Sequence, residues 1–356
     1  MFWIKKININ NFRSIENRSF LFDKHINLLY GPNGVGKTSI IEAVGYTCLG
    51  KSLKKAKDKD VLKFDKPYFN IITLLNNGND DEKAIIYYDG VAKKIKKGEE
   101  TFKSLSDYVG KYKIVSFIPD DLDIVKGTPS DRRRFLDTYI GQMCPNYLKD
   151  CINYKKILKS KNDFLKNFNN TSKEIIMLDV LNQKLASLAK QIIIQRKKYI
   201  NELNCVVENI SNKLTKFKEL VKICYDFDID DVNIEKTFQE NLKSDIIAKC
   251  STCGPQKDDI RILINEKNSA IYSSQGQIRT AVLAIKLAII DIFSKINDNI
   301  IIVLDDVFSE LDLERQKDLI NLVENRYQTF ITCSDLKKID EKILQKCNII
   351  EITEGE

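Results

Sequence analysis

The fold is decided by the stretch Gly31-Pro32-Asn33-Gly34-Val35-Gly36-Lys37-Thr38, which fits the phosphate-loop pattern Gly-x-x-x-x-Gly-Lys-Thr. The preceding residues 26–30 are apolar, as in a buried strand, and residues 38–47 are compatible with a helix. A glycine turn between a strand and a helix directs backbone N–H groups and the positive helix end at one phosphate. The sequence therefore predicts a nucleotide site over residues 31–39, ending at Ser39, in which Lys37 contacts the β- and γ-phosphates and Thr38 holds Mg²⁺.

A second motif lies far along the chain, where the apolar run 300–304 ends in Asp305 and Asp306. A buried parallel strand delivers such carboxylates to the sheet edge at which nucleotides bind. We expect Asp305 to hold Mg²⁺ and Asp306 to polarise the attacking water. Because most of the chain separates this motif from the phosphate loop, a second lobe is expected between the two halves of the nucleotide-binding domain.

Two shorter motifs accompany this pair. The run Ser274-Gln275-Gly276-Gln277 precedes an apolar helix predicted for 278–293 and resembles the core of the ABC-ATPase signature, and Ser309-Glu310-Leu311-Asp312 resembles the D-loop. A signature at a helix N-terminus is an anion site, but in such folds it lies too far from its own phosphate loop to contact the same nucleotide. The order of the motifs predicts composite ATP sites across a head-to-tail homodimer, to which residues 274–277 and Asp312 contribute.

Further segments carry a resemblance to one known family; they are Asn11-Phe12-Arg13, residues 34–43, Gly50-Lys51-Ser52, residues 126–137, residues 161–166, residues 274–280 and residues 304–312. Together they are similar to the RecF family, bacterial recombination-mediator ATPases that are short-armed relatives of the SMC proteins. The resemblance implies that Arg13 approaches the nucleotide. It also implies a task in DNA repair, recombination, replication and the SOS response: recognition of gapped or duplex DNA and, with RecO and RecR, help for RecA in replacing single-strand-binding protein.

The chain departs from the family pattern at several points. The usual Gly-Pro-His-Arg-Asp-Asp is replaced by residues 254–259, in which Gln256 and Lys257 stand for the histidine and arginine. No glutamine follows the strand predicted near 115–117, so a Q-loop residue is not placed, and Asp120 or Asp121 is the substitute. Thr332 or Cys333 occupies the place of the switch histidine of transporter ATPases.

The domain organisation follows from these positions and from periodicity. We expect a first ATPase lobe over 1–120, a mainly helical lobe with a short arm over 121–248, and a return to the head over 249–356. Apolar residues recur at three- and four-residue spacing between Leu188 and Phe217, which predicts one long helix with a single apolar stripe. The fold class is therefore α/β, an ABC/SMC-type phosphate-loop ATPase head split by an inserted helical lobe.

Composition limits the class of protein. No secretory apolar segment begins the chain, and the longest apolar helix is too short to span a bilayer, so a cytoplasmic protein without membrane contact is expected. The nine cysteines then predict reduced thiols. The pair Cys250 and Cys253 is half of a zinc pattern, but four ligands are required and no second pair accompanies it, which favours a buried strand.

Basic residues are unevenly distributed in a chain of formal net charge +7. Two lysine clusters are candidate DNA contacts, a role the family resemblance favours over a solvated face; the candidates are Lys51, Lys54, Lys55, Lys57, Lys94 and Lys97. The run Arg132-Arg133-Arg134 begins a helix, where positive charge opposes the dipole and requires an anionic partner, either a carboxylate or DNA.

Taken together, the motifs and the family resemblance indicate a DNA-binding ATPase with ATP and Mg²⁺ as cofactors. ATP closes a homodimer on DNA, which is duplex or a single-strand/duplex junction. Hydrolysis opens the dimer, and we expect it to be slow because an aspartate, one methylene shorter, stands where transporter ATPases have glutamate. We also expect hydrolysis to depend on DNA. Three alternatives remain at this point: an SMC-like structural ATPase of the chromosome, the nucleotide-binding subunit of an ABC transporter, and a DNA-binding module without enzymatic activity.

Overall fold

The computed structural model describes residues 2–78, 80–169, 171–216, 218–297, 299–310 and 313–353. The chain divides into two compact units. The head unit comprises Met1–Asp121 and Ile289–Glu356, and the helical unit comprises Leu122–Ala288. The first division lies beside the predicted boundary at 121. Residues 249–288, which were expected to rejoin the head, group with the helical unit instead, because a strand in this segment pairs with a strand at 221–226.

The strands are β1 Trp3–Phe12, β2 Ile15–Leu21, β3 Ile26–Tyr30, β4 Phe69–Asn76, β5 Asp81–Tyr88, β6 Lys93–Lys97, β7 Glu100–Phe102, β8 Lys113–Phe117, β9 Val221–Asp226, β10 Asp259–Ile264, β11 Lys267–Asn268, β12 Ile300–Asp305, β13 Gln328–Cys333 and β14 Cys347–Glu351. The helices are α1 Lys37–Leu49, α2 Asp58–Val61, α3 Leu105–Tyr108, α4 Asp123–Lys126, α5 Pro129–Met143, α6 Pro145–Lys166, α7 Ser172–Leu214, α8 Ile234–Glu240, α9 Leu242–Ala248, α10 Ser269–Tyr272, α11 Gln275–Ser294, α12 Leu313–Val323 and α13 Glu341–Leu344.

The head unit contains two sheets. One is antiparallel, with strand order β2-β1-β4-β5-β6-β7, and the other has the order β14-β3-β13-β12-β8 with parallel pairing throughout. Strands β8, β12 and β13 are buried at every position, as expected of parallel strands covered on both faces. The carboxyl ends of β3, β12 and β13 lie side by side, which is where open α/β sheets bind ligands.

Helix α1 packs between these sheets and joins them into one core. Eleven of its thirteen residues are buried, which agrees with an apolar composition on every side rather than a single apolar stripe. Tyr46 of α1 makes edge-to-face contacts with Phe12 and Phe69 of the antiparallel sheet. Because both sheets hold α1, the phosphate loop at its N-terminus stands on a rigid base.

The helical unit consists mainly of three long helices, α5, α6 and α7. Helix α7 is the single long helix that the periodicity predicts, and it runs for 43 residues. Strands β9, β10 and β11 form a small antiparallel sheet in the same unit. The prediction of a strand at Cys250 and Cys253 was wrong. Both residues lie in the loop between α9 and β10, where Cys250 is exposed and Cys253 is buried.

Candidate nucleotide-binding site

The phosphate loop connects β3 to α1 through backbone conformations that favour glycine. Gly36, with φ +99°, is the N-cap of α1. At Gly31 the limit is space, because a Cβ there would lie 2.2 Å from the carbonyl oxygen of Ile352. The loop therefore keeps its shape only with glycine at these positions, and it leads directly into the N-terminus of α1, where anions bind.

Lys37 occupies the centre of this loop. Its ammonium donates hydrogen bonds to the carbonyl oxygens of Gly31 at 2.6 Å and Pro32 at 2.7 Å. The side chain is 8 % exposed, and this desolvation lowers the pKa of Lys37, while Cys333, Asp306 and Asp305 oppose the shift. Two neutral backbone acceptors satisfy the charge only weakly, so the ammonium is positioned to bind an anion entering the loop.

Asp305, at the end of β12, collects donors from distant parts of the chain. One carboxylate oxygen accepts from the Thr38 hydroxyl at 3.1 Å and from the Thr332 hydroxyl at 2.9 Å, and the other lies 3.7 Å from the Lys54 ammonium. The structure thus brings together the two predicted metal ligands, Thr38 and Asp305. A hydroxyl and a carboxylate side by side fit the oxygen ligands that Mg²⁺ takes beside substrate phosphates.

Asp306 differs sharply from its neighbour. It is exposed and has φ +56°, a left-handed conformation that is uncommon outside glycine. The Thr332 hydroxyl accepts a hydrogen bond from its backbone N–H at 2.9 Å. The single residue Thr332 therefore fixes the backbone of Asp306 and the carboxylate of Asp305. Such strained residues concentrate at functional sites.

These side chains line a cavity of about 250 Å³. Its lining residues are Ser14, Asn33, Gly34, Gly36, Lys37, Thr38, Ser39, Asp305, Asp306, Thr332 and Ser334. Ser14 and Ser334 were missed from the sequence, because isolated serines in loops carry no signal. Thr332 had been placed only by its position after a predicted strand.

Arg13 binds within the head unit. Its guanidinium makes a bidentate pair with Glu42 of α1, at 2.8 and 2.9 Å, and Glu42 also accepts from Ser52. In the described part of the chain, Arg13 is not among the residues that line the cavity. Its approach to the nucleotide remains a prediction, and the observed role is to anchor α1.

The signature segment begins α11 in the helical unit. The Gln277 amide oxygen accepts from the Ser274 backbone N–H at 2.9 Å, and the Ser274 hydroxyl accepts from the Gln277 N–H at 3.3 Å. This reciprocal pair is a capping box. Ser274, Gln275 and Gly276 are exposed, and a Cβ at Gly276 would have open space around it.

The remaining motif residues are less informative. Leu311 and Asp312 of the predicted D-loop lie outside the described residues, and Ser309 and Glu310 belong to a 3₁₀ turn. In the proposed Q-loop position, Asp120 is exposed, whereas Asp121 accepts a hydrogen bond from the Ile118 N–H at 2.8 Å. Neither the D-loop nor the Q-loop role is tested by these contacts.

The lysines proposed to contact DNA separate into different environments. Lys54 pairs with Asp305, and Lys97 lies 3.3 Å from Glu82 and stacks over the Tyr112 ring. Lys55, Lys57 and Lys94 are exposed, and Lys51 is half-buried. Lys54 therefore belongs to the nucleotide site by its contacts. Sequence reasoning missed this, since its partner is encoded some 250 residues later.

The arginine run at 132–134 resolves mainly into carboxylate and backbone contacts within the helical unit. Arg132 forms a bidentate pair with Asp259 at 2.6 and 2.7 Å, and Arg133 donates to the carbonyl oxygen of Asp258 at 2.7 Å. The anion that Arg132 required is therefore a carboxylate of the segment 254–259. In the same segment Gln256 accepts from the Tyr154 hydroxyl at 2.5 Å, while Lys257 is exposed.

Among the described residues, no group of three or more histidine, cysteine, aspartate or glutamate side chains could hold a metal ion. Within the same residues, no helix has the length and apolar character needed to cross a membrane.

Comparison with known proteins gives one consistent result. A family model described as an AAA domain matches residues 6–354. The chain is 33 % identical over 363 residues to the DNA replication and repair protein RecF of Halalkalibacterium halodurans, covering 99 % of this chain and 98 % of that protein. It is 35 % identical over 351 residues to RecF of Clostridium botulinum (strain Loch Maree / Type A3), covering 97 % and 96 %.

Solved structures agree. The recombination mediator RecF–ATPrS of the RecFOR pathway superposes with a TM-score of 0.88 at 29 % identity, covering 98 % of this chain and 96 % of that one. The Smc head domain of Pyrococcus furiosus gives a TM-score of 0.55 at 16 % identity, covering 100 % and 95 %, a likeness of fold alone. The fold is that of an ABC/SMC-type ATPase, as the motifs predicted, and the chain belongs to the RecF family of DNA replication and repair proteins.

Proposed function

We propose that this chain is an ATP-dependent DNA-binding protein of recombinational repair and replication restart. ATP closes a homodimer on gapped or duplex DNA, and the closed dimer, with RecO and RecR, promotes loading of RecA. Slow, DNA-dependent ATP hydrolysis then releases the DNA. Family membership supports the repair task, and the RecFOR pathway named for a relative supports the two partner proteins.

The observation that carries the proposal is the meeting of Thr38, Thr332 and Lys54 on Asp305 beside the phosphate loop. These contacts create a negative carboxylate flanked by a hydroxyl, next to a lysine whose ammonium donates to two backbone carbonyl oxygens. Bound Mg²⁺ would offset phosphate charge at Thr38 and Asp305. The same arrangement gives the proposed roles: Lys37 binds the phosphates, and Asp306, on the cavity wall, orients water.

The dimer part of the proposal rests on the exposed N-terminus of α11. Ser274, Gln275 and Gly276 are exposed at this helix end, and Gly276 leaves space for a close approach. In the proposed dimer this segment of one copy contacts the γ-phosphate held by the other copy. Loss of the γ-phosphate on hydrolysis removes that contact and opens the dimer.

A mixing experiment tests the composite site. Ser274→Arg introduces a bulky cation, so it should leave ATP binding by the monomer intact while abolishing dimerisation and turnover. Asp306→Asn keeps the size of the side chain but loses its charge, so ATP should bind and the dimer should persist. Mixed together, the two variants form one whole site per heterodimer, and part of the turnover should return.

The measurements are light scattering of ATP-dependent dimers and phosphate release. Ser172→Arg, at the exposed start of α7, is the matched control and should behave as wild type. Loss of ATP binding in the isolated Ser274→Arg monomer would show that this segment acts in cis. Absence of ATP-dependent dimers in the wild type, with or without DNA, would overturn the clamp itself.

DNA binding has its own test in the salt dependence of affinity. Each lost phosphate contact reduces the slope of log affinity against log salt by about 0.9 for duplex DNA. Lys57→Glu and Lys94→Glu should therefore each flatten the slope, whereas Lys54→Met should leave it unchanged because this lysine pairs with Asp305. Equal effects of all three variants would return Lys54 to the DNA surface.

A further inference from the structure

The most exposed large aromatic side chain in the described part of the chain is Phe64, which is 87 % exposed. It lies in the loop between α2 and β4. An aromatic ring of this size normally loses most of its surface on folding, so one held almost entirely in water needs an explanation. Neither the nucleotide site nor the core uses it.

The loop that carries Phe64 is firmly held. Lys63 N–H donates to the Asn11 carbonyl at 2.9 Å, and Lys66 N–H donates to the Lys63 carbonyl at 3.2 Å across a turn in which Asp65 has φ +57°. Lys63 and Lys66 both bind Glu16 of β2, at 3.1 and 2.7 Å. Phe64 is therefore presented from a pinned turn, and little conformational entropy remains to be lost when it binds.

The surroundings of this turn are basic. Residues 51–66 contain seven lysines and three aspartates, and β6 adds four lysines. The two clusters belong to one surface, because Lys93 of β6 pairs with Asp58 of α2 at 2.8 Å. Glu16 and the three aspartates offset four of these eleven lysines, so the surface keeps a net positive charge.

Aromatic groups continue from the turn onto the sheet. Tyr68 and Tyr87 lie 5.7 Å apart between ring centroids, and Tyr87 is directly opposite Lys94 in the pairing of β5 with β6. The hairpin tip at Gly90 approaches Pro67 of the same loop. Aromatic side chains bordered by lysines are the kind of surface that binds single-stranded nucleic acid through stacked bases and backbone phosphates.

We propose that Phe64 stacks on an unpaired base of DNA whose backbone is held by the surrounding lysines, which makes this surface selective for single-stranded or gapped DNA over intact duplex. This inference rests on the proposed function, because it assumes that DNA binds the head unit. The lysines supply affinity for any DNA, and Phe64 supplies the preference, since a stacked base in a duplex is not available to it.

The test compares three fluorescent DNAs in the presence of Mg²⁺ and ATP: an intact duplex, the same duplex with a short single-stranded gap, and the gapped duplex with abasic sites in place of the gap bases. Stacking on one base is worth about 1–3 kcal/mol, or roughly a five- to 150-fold change in affinity. Phe64→Ala should weaken binding to the gapped DNA by that factor. Binding to the intact and abasic DNAs should change less than twofold.

Two further variants complete the design. Phe64→Trp should retain the preference for the gap, and Ile247→Ala, which removes an apolar side chain 84 % exposed in the helical unit, should have no effect on any DNA. The salt slope of Phe64→Ala should equal that of the wild type, since stacking releases no counterions. Unchanged thermal unfolding and ATP binding would show that the variant is folded.

The outcomes separate the two proposals. If the wild type binds no DNA with ATP, the proposed function fails and this inference fails with it. If the wild type binds DNA with a lysine-dependent salt slope but Phe64→Ala affects all three DNAs equally or none, only the stacking role is overturned. A wild-type protein that does not distinguish bases from abasic sites has the same consequence.

Discussion

Two charged clusters in this molecule are built on opposite principles. At the nucleotide site, Lys37 is satisfied by two backbone carbonyls, and Asp305 by hydroxyls and one lysine at 3.7 Å. In the helical unit, Arg196 of α7 is 4 % exposed and is fully committed to its own protein. Its guanidinium binds the carboxylates of Asp137 and Asp258, at 3.1 and 2.8 Å, together with Tyr147 and the Pro255 carbonyl.

The difference shows how to distinguish a ligand-binding site from a structural ion-pair cluster when both contain motif residues. Charges that face a cavity and have only weak partners can exchange them for a ligand. Charges whose partners are all internal cannot exchange them without a large desolvation cost. Arg196 holds the pKa of Asp137 below its usual value against the opposing effect of burial, which is the larger single influence. The Arg196 cluster therefore joins α5, α7 and the loop before β10 permanently.

The largest effect is expected for Lys37→Met, which tests whether the Lys37 ammonium is available to a ligand. Loss of the ammonium removes the charge that holds the β- and γ-phosphates, so ATP affinity should fall at least about a hundredfold, as for loss of a buried charge-assisted contact, and ATP-dependent dimers should disappear. Thermal unfolding without ATP should change little, because only backbone acceptors lose a partner. Fluorescent-nucleotide titration measures the first effect, and Lys59→Met, an exposed lysine of the head unit, is the control. Wild-type affinity in Lys37→Met would refute the assignment of the phosphate loop.

The opposite result is expected for Arg196→Met. Removing Arg196 takes the buried cation from the Asp258 carboxylate and leaves Asp137 with the exposed Lys155 at 3.4 Å, at a cost of about 3–5 kcal/mol. Hydrogen exchange of α7 should accelerate accordingly, while ATP binding to the head unit remains. Arg261→Met removes a bidentate pair with Asp226 that is exposed, and it should cost much less stability because solvent screens a surface ion pair. Similar losses of stability in the two variants would mean that the Arg196 cluster is not a buried structural ion-pair cluster.

The sequence anticipates the first cluster better than the second for a physical reason. The phosphate loop and the run ending in Asp305 are local patterns, so strand, turn and helix chemistry predict both. The contact between Lys54 and Asp305 depends on two parts of the chain meeting through the fold, which no local pattern encodes. Arg196 did leave a trace: it lies four residues after Ile192 and three before Tyr199, so a charge interrupts the apolar stripe of α7. A charged residue at a stripe position predicts a buried partner.

The same reasoning explains the errors in organisation. Residues 249–288 contain strand-like segments, and their pairing with β9 rather than with the parallel sheet is a choice made by tertiary contacts. The loop at Cys250 and Cys253 is held by polar contacts instead of a ladder: Ser251 N–H donates to Asn162 at 2.8 Å, and Thr252 N–H donates to Asp245 at 2.6 Å. Small residues with cysteines fit either a strand or such a loop, so composition alone does not decide.

The smallest effect is expected for Lys113, a charged residue that belongs neither to the nucleotide site nor to the Arg196 cluster. It begins β8 at the end of the sheet remote from Asp305, is 2 % exposed, and its ammonium has no hydrogen-bond partner among the described residues, only the Phe293 ring at 5.5 Å. Burial lowers the pKa of Lys113 to about 8. Because this buried ammonium has no hydrogen-bond partner among the described residues, its charge should destabilise the fold. Lys113→Met, which roughly keeps the length of the side chain, should therefore stabilise the protein by about 1–3 kcal/mol at neutral pH.

The pH dependence of that gain has a definite sign. The folded-state pKa of Lys113 lies below its value of 10.5 in the unfolded chain, so between the two the unfolded state binds more protons and wild-type stability rises with pH. The advantage of Lys113→Met should be greatest below about pH 8 and should shrink toward pH 10.5. Denaturant unfolding of the two proteins across this range measures the difference, with Lys103→Met, an exposed lysine, as the control. A constant advantage across the range would mean that Lys113 has a counter-charge in the folded protein. Lys113 would then belong with the charges that are satisfied inside the protein, as Arg196 is.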